Sequence, residues 1–391
     1  MQENISEKIN WELIRQLRHT LHAHPELSGQ EAETKTLLMD FIHEYTNLAV
    51  KDMGSWFYAV YEPENRRELP PIAFRADMDA LPMPESRDLP YGSVKTNVAH
   101  KCGHDGHSAA LAALALMLEI DAKIERPVYL IFQSAEETGK GGKACAEFLK
   151  SAGVGEVYAF HNLSGYPENA VMVRNTITQC ASVGLAFHFQ GRASHAGTPE
   201  LGISPAPALA RLELYAEQRI HEMTERQKNC PGINKDHILL LTTVGMNVGG
   251  MDFGISPGDG TIAFTLRAED EEELKEMKND LAAESEKLAG AYGLTVSCRE
   301  NDAFPATVNN MTCAARVRRA AENLGLRTVP MEYPWRPSED FGWYLKVCPG
   351  AMFYVGNGEN WPAPHQPDYD FNDKILRTAP SVFIRLAENF S

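Results

Sequence analysis

Pro70-Pro71-Ile72-Ala73-Phe74-Arg75-Ala76-Asp77 is the stretch that decides the fold class. Its nearly continuous apolar run is typical of a strand buried on both faces of a parallel sheet. Similar runs follow along the chain, with helical patterns between them. They are PVYLIFQSA at 127–135, EVYAFHN at 156–162 and AMFYVGNG at 351–358. Strands alternating with helices predict an α/β protein with a doubly wound, mostly parallel sheet.

The order of elements changes near Cys180. Up to residue 299 the pattern is strand, helix, two strands, helix and strand, which predicts a ferredoxin-like α+β unit complete in itself. A chain of 391 residues suggests about two domains. We therefore predict a first domain formed by residues 1–179 and 300–391, with residues 180–299 inserted as a second domain.

Hydrophobic periodicity predicts the helices of both domains. The stretch HSAALAALALMLEI at 107–120 is apolar nearly all round, which indicates a buried helix. The other predicted helices are Glu7–Leu21, Gln30–Tyr45, Gly142–Ala152, Ala206–Arg226, Glu269–Ala291, Met311–Leu324 and Asp373–Phe390.

Composition excludes some classes of protein. The net charge of −16 argues against a nucleic-acid partner. The N-terminal pattern is charged and does not resemble a secretory signal, and no stretch of the sequence suits a membrane span. Seven cysteines without framework spacing predict reduced thiols in a cytosol. We therefore expect a cytoplasmic protein that binds neither nucleic acid nor membrane.

The densest group of metal donors is His100-Lys101-Cys102-Gly103-His104-Asp105-Gly106-His107. In an extended segment the side chains of Cys102 and His104 would leave the same face of the backbone, and Gly103 would let the chain bend close to an ion. The alternative is a polar loop that holds a buried cysteine, since free cysteine is among the most buried residue types. The stretch therefore predicts half of a metal site if further donors converge on it.

Further donors follow the predicted parallel strands. Because open α/β sheets place their ligand crevice at the carboxyl ends of the strands, donors far apart in sequence should converge there. A mixture of thiolate, imidazole and carboxylate from separate loops favours an open catalytic site over a closed structural zinc site. These donors are Asp77, Asp79, Glu136, Glu137, His161 and His365.

The adjacent pair Glu136-Glu137 suits two different roles. Consecutive side chains leave the backbone in different directions, so one carboxylate can bind a metal while the other acts as a base toward water. A surface acidic pair is the alternative. The position of the pair after an apolar strand, with glycines beyond it, favours the functional interpretation.

Seven blocks of the chain resemble, in order and spacing, those of the aminoacylase and carboxypeptidase-type metallohydrolases. The similarity is to the amidohydrolase branch that includes hippurate hydrolases and auxin-conjugate hydrolases, and it runs over nearly the whole chain. The blocks are HAHPELS (22–28), RADMDALP (75–82), HKCGHDGHSA (100–109), FQSAEETGKGG (132–142), GRASHAGTP (191–199), PSEDFG (337–342) and PHQPDYDFND (364–373).

The resemblance implies roles for individual residues. Glu136 matches the catalytic base, Asp79 the carboxylate that supports the ligands, and His195 the histidine that reaches the substrate, often from the partner subunit. The metal ligands implied by matching motifs are Cys102, His104, Glu137, His161 and His365.

The resemblance also implies an activity: metal-dependent hydrolysis of the amide bond of N-acyl amino acids. It implies two divalent ions per chain, and a homodimer formed through the inserted domain, which would act as a lid. The donor types favour zinc, with manganese, cobalt or nickel as alternatives. A carboxypeptidase, dipeptidase or N-carbamoyl amino acid hydrolase is the alternative activity. A degenerate binder of N-acyl amino acids and a structural dimer stapled by metal are the non-enzymatic alternatives, but neither needs a base at Glu136.

Several residues keep alternative interpretations. The segment Gly254-Ile255-Ser256-Pro257 stands where the family usually has Asn-Val-Ile-Pro, so the substrate contact made by that Asn is absent or replaced. Asp77 could bind metal or hold a turn, and His100 and His107 could equally cap a helix or support the ligands. His195 could instead cap the helix that begins near Pro205.

Two further predictions concern residues outside the ligand set. Arg267 could hold a substrate carboxylate, but a surface ion pair is the simpler expectation. The cysteines other than Cys102 are expected to be packing residues: Cys145, Cys180, Cys230, Cys298, Cys313 and Cys348.

Overall fold

A computed structural model describes residues 5–86, 88–120, 123–228 and 237–388. The chain divides into two compact units. The described part of unit 1 lies within Met1–Thr178, Thr307–Glu332 and Glu339–Ser391. Unit 2 comprises Gln179–Ala306 and Tyr333–Ser338, whereas the predicted insertion ran from 180 to 299.

The helices are numbered in chain order. Single 3-10 turns lie at Ile5–Lys8, Pro199–Leu201 and Asp373–Ile375. The α-helices are α1 (Trp11–Ala23), α2 (Ala32–Tyr45), α3 (His104–Ile120), α4 (Gly142–Ser151), α5 (Ala206–Lys228), α6 (Glu271–Tyr292), α7 (Met311–Asn323), α8 (Gly342–Leu345) and α9 (Thr378–Ala387).

The strands are numbered in the same way. They are β1 (Ala49–Asp52), β2 (Phe57–Tyr61), β3 (Ile72–Asp77), β4 (Val128–Gln133), β5 (Glu156–Ser164), β6 (Val171–Met172), β7 (Ile177–Gln179), β8 (Ala181–Gln190), β9 (Ser194–His195), β10 (Leu239–Val248), β11 (Ile255–Ser256), β12 (Asp259–Ala268), β13 (Thr295–Phe304), β14 (Thr307–Val308) and β15 (Gly350–Gly358).

Unit 1 is built on a seven-stranded sheet in the order β1-β2-β4-β3-β5-β15-β6. Its four central strands, β4, β3, β5 and β15, are mutually parallel. Toward the edges the pairing is antiparallel: β2 runs antiparallel to β4, β1 to β2, and β6 to β15. The predicted α/β class with a mostly parallel central sheet is therefore confirmed, with antiparallel strands added at both edges.

Helices cover both faces of this sheet. Phe74 points into a core that contains α1, α3 and α9, whereas its neighbour Ala73 points into a core built with α4 and α8. Successive side chains of a strand face opposite sides, so β3 is covered on both faces and all six of its residues are buried. The predicted buried helix is α3, of which Ala109–Ala115 is fully buried.

The register brings the carboxyl ends of the central strands together. Asp77 of β3 pairs with Gln133 of β4, and each is the last residue of its strand. β5 lies on the other side of β3 and carries β15 beside it. The loops that follow β3, β4 and β15 therefore leave the same edge of the sheet.

Unit 2 has a four-stranded antiparallel sheet in the order β10-β12-β8-β13. With α5 and α6 between the strands in sequence, this is the order that a split β-α-β-β-α-β motif gives. The apolar sides of β8 and β12 pack with both helices in one core, which includes Phe187, Leu212, Phe264 and Leu281.

Two predicted helices, the buried helix and the last helix, differ clearly from the structure. α3 begins at His104 rather than at His107. The predicted last helix is divided into the turn Asp373–Ile375 and α9, because Pro380 suits only the first turn of a helix and so favours a start at Thr378. Phe390, its predicted end, lies outside the described residues. None of the helices described is both long and apolar enough to span a bilayer.

Candidate metal centre

The candidate metal centre lies at the carboxyl edge of the central strands of unit 1. Asp77 ends β3, Glu136 and Glu137 follow β4, and His365 follows β15. His161 was predicted to follow its strand, but it lies within β5, where it pairs with Tyr354 of β15. β5 continues to Ser164 because β15 extends beside it.

The five predicted ligands and the predicted base come together. In each of the following groups the candidate donor atoms lie within 4.8 Å of one another. The groups are Cys102-His104-His161, Cys102-Glu137-His365 and His104-Glu136-Glu137. Because Cys102 and His104 each belong to two groups, the groups form one continuous cluster.

A turn at Gly103 joins Cys102 to His104. We predicted an extended segment, but Gly103 has a φ of 100° and His104 is the first residue of α3. A Cβ at Gly103 would lie 2.2 Å from the side-chain oxygen of Asn162, so only glycine fits this position without displacing its neighbours. The turn, rather than strand alternation, therefore brings the thiol and the imidazole together.

Two histidines are oriented as metal ligands are. His104 Nδ1 lies 2.9 Å from the carbonyl oxygen of Asp79, and His161 Nδ1 lies 2.7 Å from that of Asn162. We infer that both Nδ1 atoms carry a proton and donate it, so that each Nε2 is the ring atom that would bind a metal in place of a proton. His104 Nε2 and Glu137 Oε1 are buried and have no hydrogen-bond partner among the described residues. Divalent cations would satisfy these atoms.

Asp79 holds two members of the cluster in place. Its Oδ1 lies 3.1 Å from His104 Nδ1, and its Oδ2 accepts from the backbone N–H of Glu137 at 3.0 Å. Ser28 donates to the same Oδ2 at 2.6 Å. Asp79 is 1% exposed. Its two carboxylate oxygens hold the ring of His104 and the backbone N–H of Glu137 in place.

The electrostatics favour a cation. Burial and the carboxylates of Glu137 and Glu136 raise the pKa of Cys102 well above its usual value. Burial and the carboxylate of Glu339 likewise raise the pKa of Glu136 well above its usual value. Burial opposes a charge on the His104 ring, yet the carboxylates of Asp77 and Asp79 raise its pKa to about 10. The excess of buried anionic groups is what bound divalent ions would compensate.

Two residues of the centre have a positive φ without being glycine. They are Ala135, with a φ of 53°, and His365, with a φ of 64°. Such conformations are strained and cluster at functional sites. Ala135 is held because its N–H donates to Glu31 at 2.7 Å, and His365 because its N–H donates to the Lys101 carbonyl at 2.6 Å. His365 is itself a predicted ligand, and Ala135 immediately precedes the predicted base Glu136.

The sequence interpretation missed a buried polar network beside the centre. The guanidinium of Arg75 binds the carboxylates of Asp77, Glu339 and Asp340, all within 3 Å. Glu339 and Asp340 form a close group with Glu136. The signal was present in the sequence, because an arginine within a strand buried on both faces requires buried anionic partners.

Three residues left open are now placed. Asp77 is fully buried and accepts from Arg75, and its Oδ1 lies 2.6 Å from His107 Nδ1. The other ring nitrogen of His107 lies 2.7 Å from Asn162 Oδ1, so both of its nitrogens are engaged within the protein. His100 is buried, and neither of its nitrogens has a hydrogen-bond partner among the described residues. Neither His100 nor His107 caps a helix.

His195 lies in unit 2, where β9 pairs with β11. The ring is exposed, and its Nδ1 accepts from the backbone N–H of Gly197 at 2.9 Å. In the neutral ring this contact leaves the proton on Nε2, which is then free to donate. The ring therefore contacts Gly197 rather than capping α5.

Arg267 is also in unit 2. Its guanidinium donates to Ser338 Oγ at 2.9 Å and to the Arg336 carbonyl at 3.3 Å. The expected ion pair is not found within the described part of the chain. Burial lowers the pKa of Arg267.

The predicted packing role of the other cysteines is correct for most of them. Cys298 is the exception, since it is exposed on β13. Cys230 lies outside the described residues. The buried ones are Cys145, Cys180, Cys313 and Cys348.

The family model for the peptidase family M20/M25/M40 matches residues 73–389. Curated relatives align over almost their whole length. The chain is 28% identical to the N-acetylcysteine deacetylase of Bacillus subtilis over 375 residues, 95% of each protein. It is also 28% identical to the hippurate hydrolase of Campylobacter jejuni, covering 95% of this chain and 94% of that protein. Thermostable carboxypeptidase 1 of Saccharolobus solfataricus is 28% identical, covering 100% of this chain and 98% of that protein.

A solved structure shares the fold. It is that of the Bacillus subtilis YxeP protein, described as a dinuclear metal-binding peptidase from the M20 family. The TM-score is 0.76 with 24% sequence identity, and the alignment covers 97% of each chain. The match to the family model spans most of the chain, including every metal-donor block identified above. The protein is therefore a metallohydrolase that acts on amide C–N bonds, and it belongs to the peptidase family M20/M25/M40.

Proposed function

We propose that the protein is an N-acyl amino acid amidohydrolase that uses two divalent ions per chain. The observation that carries the proposal is the single cluster at the carboxyl edge of the sheet. There, His104 Nε2 and Glu137 Oε1 have no hydrogen-bond partner within the described parts of the chain, while Glu136 lies beside them. The ligands would be the five residues Cys102, His104, Glu137, His161 and His365. Zinc suits the thiolate and imidazole donors, with manganese, cobalt or nickel as alternatives.

Each residue of the centre has a defined part in hydrolysis. When bound, the ions polarise the amide carbonyl and lower the pKa of water toward neutrality. Glu136 takes the proton from the attacking water and delivers it to the leaving nitrogen. Asp79 keeps His104 and Glu137 oriented. His195 donates through Nε2–H to the substrate carbonyl oxygen, where negative charge develops.

The substrate proposal draws on the relatives. One is a deacetylase of an N-acetyl amino acid and another a hippurate hydrolase. A carboxypeptidase is also 28% identical to the chain, so peptide hydrolysis is the second candidate. A dipeptidase or N-carbamoyl amino acid hydrolase would use the same centre.

The quaternary structure and location are proposals of the same kind. We propose a homodimer formed through unit 2, which would act as a lid. The cysteines that the structure describes are all free, which supports a reducing, cytoplasmic location. The net charge of −16 disfavours nucleic acid as a partner.

The proposal is tested by metal analysis followed by a hydrolysis panel. The purified protein should contain about two divalent ions per chain. It should hydrolyse N-acetyl or N-benzoyl amino acids faster than dipeptides, and the Glu136→Gln variant serves as the control for contaminating activity. Preference for dipeptides would move the assignment to a peptidase. A protein that holds its metals and binds these compounds without cleaving any of them would be a binding protein.

A further inference from the structure

A second cleft lies in unit 1, lined by residues that the proposed hydrolysis does not use. Its volume is about 430 Å³, within the range of small-molecule sites. Val171, Val173 and Met331 give it apolar walls. The polar side chains that line it include two guanidinium groups, Arg174 and Arg318, but no carboxylate.

These two arginines differ from the buried arginines of the same unit. Arg18 meets Asp105 and Asp370, and Arg75 meets three carboxylates. In the described residues, by contrast, the recorded hydrogen bonds of Arg174 and Arg318 go only to carbonyl and amide oxygens. Acids outnumber basic residues by 53 to 37 in this chain, yet no ion pair among the described residues neutralises either of these two guanidinium groups.

Hydrogen-bond counting shows the remaining donor capacity. Arg174 donates from Nε to the Ile177 carbonyl at 2.8 Å and from Nη1 to the Met331 and Glu332 carbonyls. Its Nη2 has no recorded acceptor among the described residues. Arg318 donates to the Val173 carbonyl at 3.4 Å and to the side chain of Asn175. Since a guanidinium has five N–H groups, each arginine can still bind an anion.

We propose that this cleft binds a small oxyanion, a carboxylate or phosphate carried on a short apolar group. The guanidinium groups would hold the anionic oxygens by charge-assisted hydrogen bonds, and Val171, Val173 and Met331 would cover the apolar part. The site is separate from the metal centre, because none of its lining residues is a metal donor.

The position of the cleft suggests what its ligand does. Its walls are the two segments of unit 1 that lead into unit 2, residues 171–176 before the boundary at Thr178 and residues 328–331 before the boundary at Glu332. Arg174 already hydrogen-bonds across these segments. An anion bound to both Arg174 of the first segment and Arg318 of α7 would therefore hold that segment more firmly against α7.

The test uses isothermal titration calorimetry on the metal-loaded protein with inorganic phosphate, butyrate, butyl phosphate and citrate as probes. At least one probe should bind saturably at one site per chain, and the probe that binds identifies the anionic group. Arg318→Gln should weaken this binding at least about tenfold, equivalent to ~1.4 kcal/mol. Arg319→Gln is the matched control, because Arg319 is the adjacent exposed arginine of α7 and does not line the cleft.

A second variant tests the same binding without removing either arginine, in case Arg318→Gln fails to fold. Asn175 is exposed and already contacts Arg318, so Asn175→Asp places a carboxylate on the guanidinium with almost no change in shape. It should abolish probe binding and leave hydrolysis of the best panel substrate unchanged. Equal weakening by Arg318→Gln and Arg319→Gln, or binding that survives Asn175→Asp, would overturn the proposal. The absence of saturable binding for all four probes would also overturn it. The two arginines would then serve only to stabilise the connecting segments.

Discussion

Glu136 and Glu137 are consecutive, but they meet different neighbours. Glu137 Oε1 lies 3.7 Å from His104 Nε2 and 3.5 Å from His365 Nε2, among the other proposed ligands. Glu136 Oε2 lies 3.9 Å from His104 Nε2, and Glu136 otherwise groups with the acids Glu339 and Asp340. These positions support the division into ligand and base at the scale of single residues.

Replacing each glutamate by glutamine should separate the two roles. Glu136→Gln keeps the side-chain shape but removes the base, so we expect the metals to be retained and kcat to fall about 10²–10⁴-fold. Glu137→Gln should instead lose metal, because a neutral amide is a weaker ligand. Elemental analysis and steady-state kinetics measure both. If Glu136→Gln loses metal and Glu137→Gln does not, the roles have been exchanged.

Cys102 can be tested against another buried cysteine. Cys102→Ala removes a proposed thiolate ligand, so both metal content and activity should fall. Cys145 lies in α4, is fully buried, and belongs to no donor group found among the described residues, so Cys145→Ala is the matched control and should keep its metals. Unchanged stoichiometry in Cys102→Ala would remove this residue from the ligand set.

At the scale of elements, α3 connects the core to the metal centre. Its first residue is the proposed ligand His104, and its following turns are buried against α1, α2 and α9. A buried helix of this kind cannot rotate without breaking its packing. The position of His104 is therefore fixed by the apolar residues that follow it.

Gly106 gives a test of this close packing. A Cβ at Gly106 would lie 2.2–2.4 Å from three ring atoms of Phe371, which is itself 1% exposed and cannot move aside. Gly106→Ala should therefore lower the free energy of unfolding by about 1–3 kcal/mol. Metal binding should weaken with it, because the clash displaces the start of α3.

The control for this variant is a helical glycine in open space. A Cβ at Gly290 of α6 would have no atom within 4 Å, so Gly290→Ala should stabilise the protein by roughly 0.5–1 kcal/mol. Urea unfolding of the metal-loaded protein measures both changes. Equal stability of the two variants would mean that Phe371 moves aside and that α3 is less constrained than its packing indicates.

At the scale of the whole molecule, the proposed mechanism needs both units. The proposed ligands and base belong to unit 1, whereas His195 belongs to unit 2. His195 can contact substrate only if unit 2 of the same chain, or of a partner chain, closes over the metal centre. This requirement makes His195 a probe of both the lid and the dimer.

His195→Ala should retain two metals and form a normal dimer while losing about 10²–10³-fold in kcat, because a donor to the developing oxyanion is removed. His221→Ala, which removes an exposed histidine from α5 of the same unit, is the control and should keep full activity. Full activity of His195→Ala would rule out the catalytic role.

Mixing subunits decides which chain supplies His195. In a heterodimer of His195→Ala and Glu136→Gln subunits, one of the two sites regains both groups if the histidine comes from the partner. Part of the activity should then return. No recovery in verified heterodimers would place the action of His195 within one chain.

The sequence by itself determined the fold class and the identity of the candidate donors. Apolar runs such as Ile72–Asp77 require burial on both faces whatever surrounds them, and this fixes a parallel sheet with its crevice at the carboxyl edge. The donors could be named because thiolate, imidazole and carboxylate groups followed those strands.

Only the tertiary structure decided how the donors meet and what supports them. The turn at Gly103, the strained His365 and the position of His161 within β5 depend on contacts with residues that are distant in sequence. The partners of Arg75 at Glu339 and Asp340 are separated from it by more than 260 residues, so no local pattern specifies them. Local periodicity determines which elements form, but the burial of charge is balanced only when those elements pack together.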